Sequence, residues 1–126
     1  MAARSRLVSF NSLKGLTFRS VISTDLEIQF NTANGRCFKL AHAQDCCEDV
    51  YIESIVGDLE DLVDCEILVA DEVSDDESPS VGEVQEYYRW TFYKLATRKG
   101  YVDIRWFGTS NGYYSMEAEL REVLED

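Results

Sequence analysis

Y-Y-R-W-T-F-Y-K-L-A-T-R-K-G-Y-V-D-I-R-W-F-G, residues Tyr87–Gly108, is the stretch on which the fold turns. Two runs rich in aromatic and β-branched residues flank T-R-K-G, and such runs read as strands joined by a tight turn. After T-S-N-G comes a third run, Tyr113–Val123, so the C-terminal third reads as a three-stranded antiparallel meander. In this reading Trp90 and Phe92, then Val102, Ile104 and Trp106, then Tyr114, Met116, Ala118 and Leu120 share the core face. M-E-A-E-L-R-E-V-L-E is also a fair helix sequence, which leaves a helical ending open after Ser115.

Working back towards the N-terminus, the same period of two recurs. Leu26, Ile28 and Phe30 alternate with Glu27 and Gln29, the pattern of a half-buried strand. Asn34-Gly35 suits a hairpin turn that needs positive φ. The return strand, Arg36–His42, puts Phe38, Leu40 and His42 on one face. Thr17–Ser23 is a further strand, and Leu7–Phe10 adds an edge strand. In the centre, Val50–Val56 is β-branched and reads as a strand. Gly57-Asp58 then starts a short helix, with Asp58 as N-cap and Leu59, Leu62 and Val63 on its apolar side. Cys65–Ala70 reads as a buried strand. Asp71–Glu86, D-E-V-S-D-D-E-S-P-S-V-G-E-V-Q-E, has little apolar surface to offset ordering entropy and reads as a mobile acidic loop. The expected fold is a single α+β domain over 1–126: a mostly antiparallel, twisted sheet, one or two short helices and the C-terminal meander.

Charge divides the chain into three. Residues 1–42 carry six basic and two acidic groups, residues 43–86 carry sixteen acidic groups and no basic one, and residues 87–126 carry six of each. The middle block creates a negative field that repels phosphate and attracts basic protein surfaces. It therefore disfavours direct nucleic-acid binding. The plain alternative is solubility, with the basic N-terminal third folded against the block and neutralising it. No apolar run reaches the length of a membrane span. M-A-A-R-S-R-L-V-S-F lacks the apolar core of a signal peptide, so the expected location is cytoplasmic, with reduced cysteines.

Two longer motifs carry a resemblance. H-A-Q-D-C-C-E-D-V-Y-I-E-S-I-V-G-D-L-E-D-L (His42–Leu62) and Y-R-W-T-F-Y-K-L-A-T-R-K-G-Y-V-D-I-R-W-F-G-T-S-N-G-Y-Y-S (Tyr88–Ser115) resemble an uncharacterised family of small acidic proteins encoded by tailed bacteriophages and prophages. The likeness covers most of residues 13–123 and leaves out the acidic stretch 71–86. It implies a viral or prophage origin, the cytoplasm of a bacterial host and a small α+β fold. It brings no activity, cofactor or catalytic residue.

Candidate sites weigh as follows. His42, Cys46 and Cys47 are of zinc-ligand type. Adjacent cysteines usually point apart, however, whereas structural zinc sites use paired C-x-x-C spacing. No metal or other cofactor is therefore expected, and a turn with one cysteine packed as a small hydrophobe is preferred. A cysteine nucleophile with His42 as base lacks an oxyanion turn, so no catalytic residues are assigned and no enzyme is expected. Residues 87–114 hold ten of the fifteen aromatics with five cations. Arg89, Tyr93, Tyr101, Arg105, Phe107 and Tyr113 thus form a candidate nucleotide-stacking face. Its plain alternative is that half of the rings are core and the rest cover a second layer or a homo-oligomer interface. The leading reading is a phage-type accessory binding protein, a host-directed inhibitor of the anti-defence kind. Glu48, Asp49, Glu53, Glu60 and Asp61 would engage a basic or nucleic-acid-binding host protein. The nucleotide-binding module and a metal-stabilised structural protein follow it.

Overall fold

The structure is a computed structural model that describes residues 4–42, 49–77, 87–110 and 118–124. Nine strands are named here in chain order: β1 (Arg4–Val8), β2 (Phe18–Ser23), β3 (Glu27–Thr32), β4 (Cys37–Ala41), β5 (Asp49–Val56), β6 (Val69–Glu77), β7 (Tyr87–Thr97), β8 (Gly100–Ser110) and β9 (Glu119–Leu124). They form a five-stranded sheet, β1-β9-β4-β3-β2, and a four-stranded sheet, β5-β8-β7-β6. Every strand pairing is antiparallel. The inner faces supply one core: Ile28, Phe30, Phe38, Leu40 and Leu120 from the first sheet, Tyr93, Leu95, Val102, Ile104 and Trp106 from the second.

The α+β expectation is overturned, because the only helical segments among the described residues are two 3-10 turns of four residues, Phe10–Leu13 and Leu59–Leu62. The expected helix after Gly57 stops after one turn. Asp58 does cap it, accepting a hydrogen bond from the Glu60 N–H at 3.0 Å. But Val63 is already extended and bridges Phe18. Leu59 and Leu62, three apart, satisfy a 3-10 turn as well as an α-helix. Each turn plugs the core between strands, as Phe10 and Leu62 show.

The loop expected over 71–86 is corrected in its first half. Residues 71–77 continue β6, which pairs in register with β7 from Val69↔Ala96 to Glu77↔Tyr88. Cross-strand pairing to an aromatic, fully hydrogen-bonded neighbour orders a sequence whose own apolar content would not. Residues 78–86 lie outside the described residues.

The meander is corrected in its third strand. The β7–β8 hairpin forms as expected, but β9 crosses to the other sheet and lies between β1 and β4. Ala118 and Leu120 are buried there, and Tyr114 and Met116 lie outside the described residues. The second correction is the phase of β7. Its inward residues are Thr91, Tyr93, Leu95 and Thr97, so Trp90 and Phe92 face outwards while Trp106 is buried. Hairpin register imposes this: Thr97 pairs Gly100, which sets Leu95 beside Val102 and Tyr93 beside Ile104.

Elsewhere the N-terminal reading holds in part: Leu26 is 62% exposed rather than on the buried face, and the edge strand expected over Leu7–Phe10 is Arg4–Val8, with Phe10 opening a 3-10 turn. Ile28, Phe30, Phe38 and Leu40 are fully buried, and Gly35 takes φ +92° in the turn between β3 and β4. Gly57 takes φ +106°, and a Cβ there would collide with the Tyr101 carbonyl, so the β5 exit requires glycine on both counts.

Candidate functional site

The acidic block, residues 43–86, supplies both outer strands of the four-stranded sheet, β5 and β6. The aromatic and basic hairpin β7–β8 supplies the two inner strands. The sheet therefore has acidic margins around a ring-bearing centre. On its outer face Trp90 lies opposite Phe107 and Phe92 opposite Arg105. Tyr51 of β5 continues the row beyond Phe107.

The rings make a chain. Trp90 and Phe107 have centroids 4.3 Å apart, and Tyr51 meets Phe107 edge-on at 5.9 Å. The Arg105 guanidinium stands 4.8 Å above the Trp90 ring. It also pairs with Glu53, which an irregularity in β5 between Ile52 and Ser54 brings to this face. A cation held between a ring and a carboxylate has its charge largely answered. Arg105 Nε is buried and makes no hydrogen bond.

The six residues expected to form a nucleotide face do not share one. Arg105, Phe107 and Tyr101 belong to the outward phase of β8, while Tyr93 is buried in the core and Arg89 follows the inward phase of β7. Tyr113 lies outside the described residues. Trp90, Phe92 and Tyr51 are surface rings that the alternation in the sequence did not mark as such. The missed signal was Lys94: the Trp90–Phe92 phase would carry it into the core.

The five expected partner-binding acids also separate. Asp49 begins β5, and Glu60 and Asp61 sit on the turn beyond its other end, about 25 Å away for eight extended residues. Glu53 lies between and is paired; Glu48 lies outside the described residues. Asp61 packs against Gly100, where a Cβ would come 2.9 Å from its Oδ2, and its carbonyl accepts from the Thr97 hydroxyl.

Among the described side chains, no cation of the basic N-terminal third pairs with a carboxylate of the block. Arg6 and Arg36 both reach Glu122 of β9, at 2.7 Å and 2.8 Å, and Lys39 faces Glu27 at 4.0 Å. The Glu122 side chain is only 7% exposed. Hydrogen bonding from Arg36, opposed by burial and reinforced by Arg6, lowers its carboxyl from 4.5 to about 2. Among the block's carboxylates with described side chains, Glu53 alone forms an ion pair.

Of the metal candidates, His42 is half-buried just past β4, and Cys46 and Cys47 lie outside the described residues. Cys37 is half-buried on β4, and Cys65 is buried. Among the described residues, no three His, Cys, Asp or Glu side chains cluster as metal ligands would. No described helix is long and apolar enough to cross a membrane.

Over residues 11–120 the chain matches a family described as a domain of unknown function, DUF7448, and it belongs to that family. No curated protein and no solved structure matches it.

Proposed function

We propose that this protein is an accessory binding protein whose acidic sheet margins engage a basic partner protein. The observation that supports this most is where the positive charge goes. Arg6 and Arg36 are committed to Glu122, and among the block's carboxylates with described side chains Glu53 alone forms an ion pair. Sixteen acids in a 44-residue span without a cation exceed what solubility asks of a domain this size. The resemblance noted in the sequence makes the partner a bacterial host protein, basic or nucleic-acid-binding, and the role a host-directed inhibitor of the anti-defence kind. The site acts by complementarity and carries no catalytic assignment.

A pull-down from bacterial lysate supplies the partner, and charge reversal tests the contact. Reversing Glu60, Asp61, Asp71 and Glu72 to lysine should abolish binding, and salt should weaken it with a screening length of about 8 Å. Reversing Arg105 should leave it intact. Binding that survives the fourfold reversal ends this reading. Loss on Arg105 reversal alone moves the contact to the ring row, where a nucleotide or another anionic ligand would sit.

A further inference from the structure

A cleft of about 940 Å³ opens between the two sheets on the side where β1 and β6 are both edge strands. Leu7 and Val73 are 60% and 50% exposed at its rim, Phe10 lies below, and Asp71, Glu72 and Glu119 line it; no cation does. Glu119 is shared with Arg121 at 3.5 Å, whereas Asp71 and Glu72 form no ion pair.

We propose that β6 takes up an extended, basic-and-apolar segment of a partner protein as a fifth strand beside its outer edge, with alternate side chains of the segment entering this cleft. The inference rests on the acidic-margin reading and gives it a site and a mode. Three observations carry it. No described strand pairs with the outer edge of β6, so half of that strand's backbone donors and acceptors point outwards, the template for strand addition. Strand spacing of about 4.8 Å places an added strand over the cleft rather than in open solvent. Side chains of an added strand alternate, and so do those of β6: Ala70 and Glu72 share the inward phase of Tyr93 on the cleft side, while Asp71 and Val73 share the outward phase of Phe92, so an acid borders the added strand on both of its faces.

A second copy of this chain is the wrong occupant. Five of the nine residues of β6 are acidic in sequence, so two β6 edges side by side would set one acidic strand against another, Asp71 and Glu72 included. Like charges directly opposite across a ladder destabilise it. The acids therefore reject self-pairing while admitting a basic strand, which is specificity by repulsion as well as attraction.

The probe is a ten-residue peptide of alternating lysine and valine, titrated into the full-length protein. Its twin has alternate backbone amides N-methylated, which keeps every side chain and removes the strand-forming donors. Saturable binding of the first peptide is expected, with amide exchange slowed along β6, and about tenfold or greater weakening for the twin. Asp71→Lys with Glu72→Lys should weaken the first peptide by about tenfold as well. Equal binding of both peptides, lost on that double reversal, would overturn strand addition and leave the acidic-margin reading standing. No saturable binding of the unmethylated peptide up to about 1 mM overturns the proposal outright, and the lysate partner then tests the broader reading by itself.

Discussion

The two sheets place their arginine–carboxylate pairs on opposite sides of themselves. In the five-stranded sheet Glu122 is on the inner face, nearly inaccessible, held by Arg6 and Arg36, with Arg36 also 5.0 Å above the Phe38 ring. In the four-stranded sheet Glu53 and Arg105 are on the outer face, 29% and 41% exposed, beside Trp90. The parts are the same: a carboxylate, a guanidinium and a ring. Burial makes the first part of the frame, because a carboxylate removed from water must be answered in full. Exposure leaves the second as a surface feature. The five-stranded sheet thus carries its pair as frame, and the four-stranded sheet carries its pair on the surface, on the sheet to which the proposed contact is assigned.

The largest expected effect lies at Trp106, the larger of the two rings that the four-stranded sheet buries, Tyr93 being the other. Trp106 is 1% exposed in the shared core, so Trp106→Ala should cost about 3–5 kcal/mol in urea unfolding. Its indole N–H makes no hydrogen bond, which is a standing cost of burial. Trp106→Phe removes that donor along with some volume, and should cost much less, about 1–2 kcal/mol. A Phe variant as damaged as the Ala variant would show that the donor has a partner the structure does not reveal.

Glu122→Gln comes next. It leaves two arginines without their carboxylate, but their side chains are 60% and 39% exposed and can turn to water. The expected loss is about 2 kcal/mol, less than for a fully buried pair. The carboxyl is held at about 2 in the folded protein against 4.5 ordinarily. A lowered folded pKa gives stability that is present in full above about 4.5 and lost as pH falls towards about 2. The parent should lose roughly 2–3 kcal/mol across that window through this group, and Glu122→Gln should lose less. Identical acid profiles for the two proteins would remove Glu122 from the frame.

How far the sequence shows this division is uneven, for physical reasons. Ile28, Phe30, Phe38 and Leu40 were legible because one face of their hairpin is dry and the alternation is clean. In β7 both phases carry rings, so period two alone does not choose; the pairing of Thr97 with Gly100 chooses. Residues 71–77 looked like loop because their order comes from β7, which no local count includes. The Glu122 cluster joins positions 86 and more residues apart and has no local signature.

Trp90→Ala tests the outward assignment directly. Trp90 is half-buried, touching Phe107 and Arg105, contacts worth about 0.5–1.5 kcal/mol each and partly overlapping. A loss of about 1–2 kcal/mol is expected, well below that of Trp106→Ala. Equal losses at the two tryptophans would place both rings in the core and close the outer face as a surface.

The smallest effect is expected at Glu53, and it sharpens the comparison most. Surface ion pairs contribute about 0–1 kcal/mol, because water already solvates both partners and ordering two long side chains costs entropy. Glu53→Gln keeps the shape and removes the charge, so stability should change by less than about 0.5 kcal/mol. The electrostatics of the face should change more, since Arg105 then stands over Trp90 with no carboxylate opposite. An anionic dye that ignores the parent should bind the variant weakly, with binding lost on Arg105→Gln. If Glu53→Gln instead costs as much as Glu122→Gln, the Glu53–Arg105 pair holds β5 to β8 as part of the frame. The outer face would then differ from the inner one in degree only, and the division of labour between the sheets would fail.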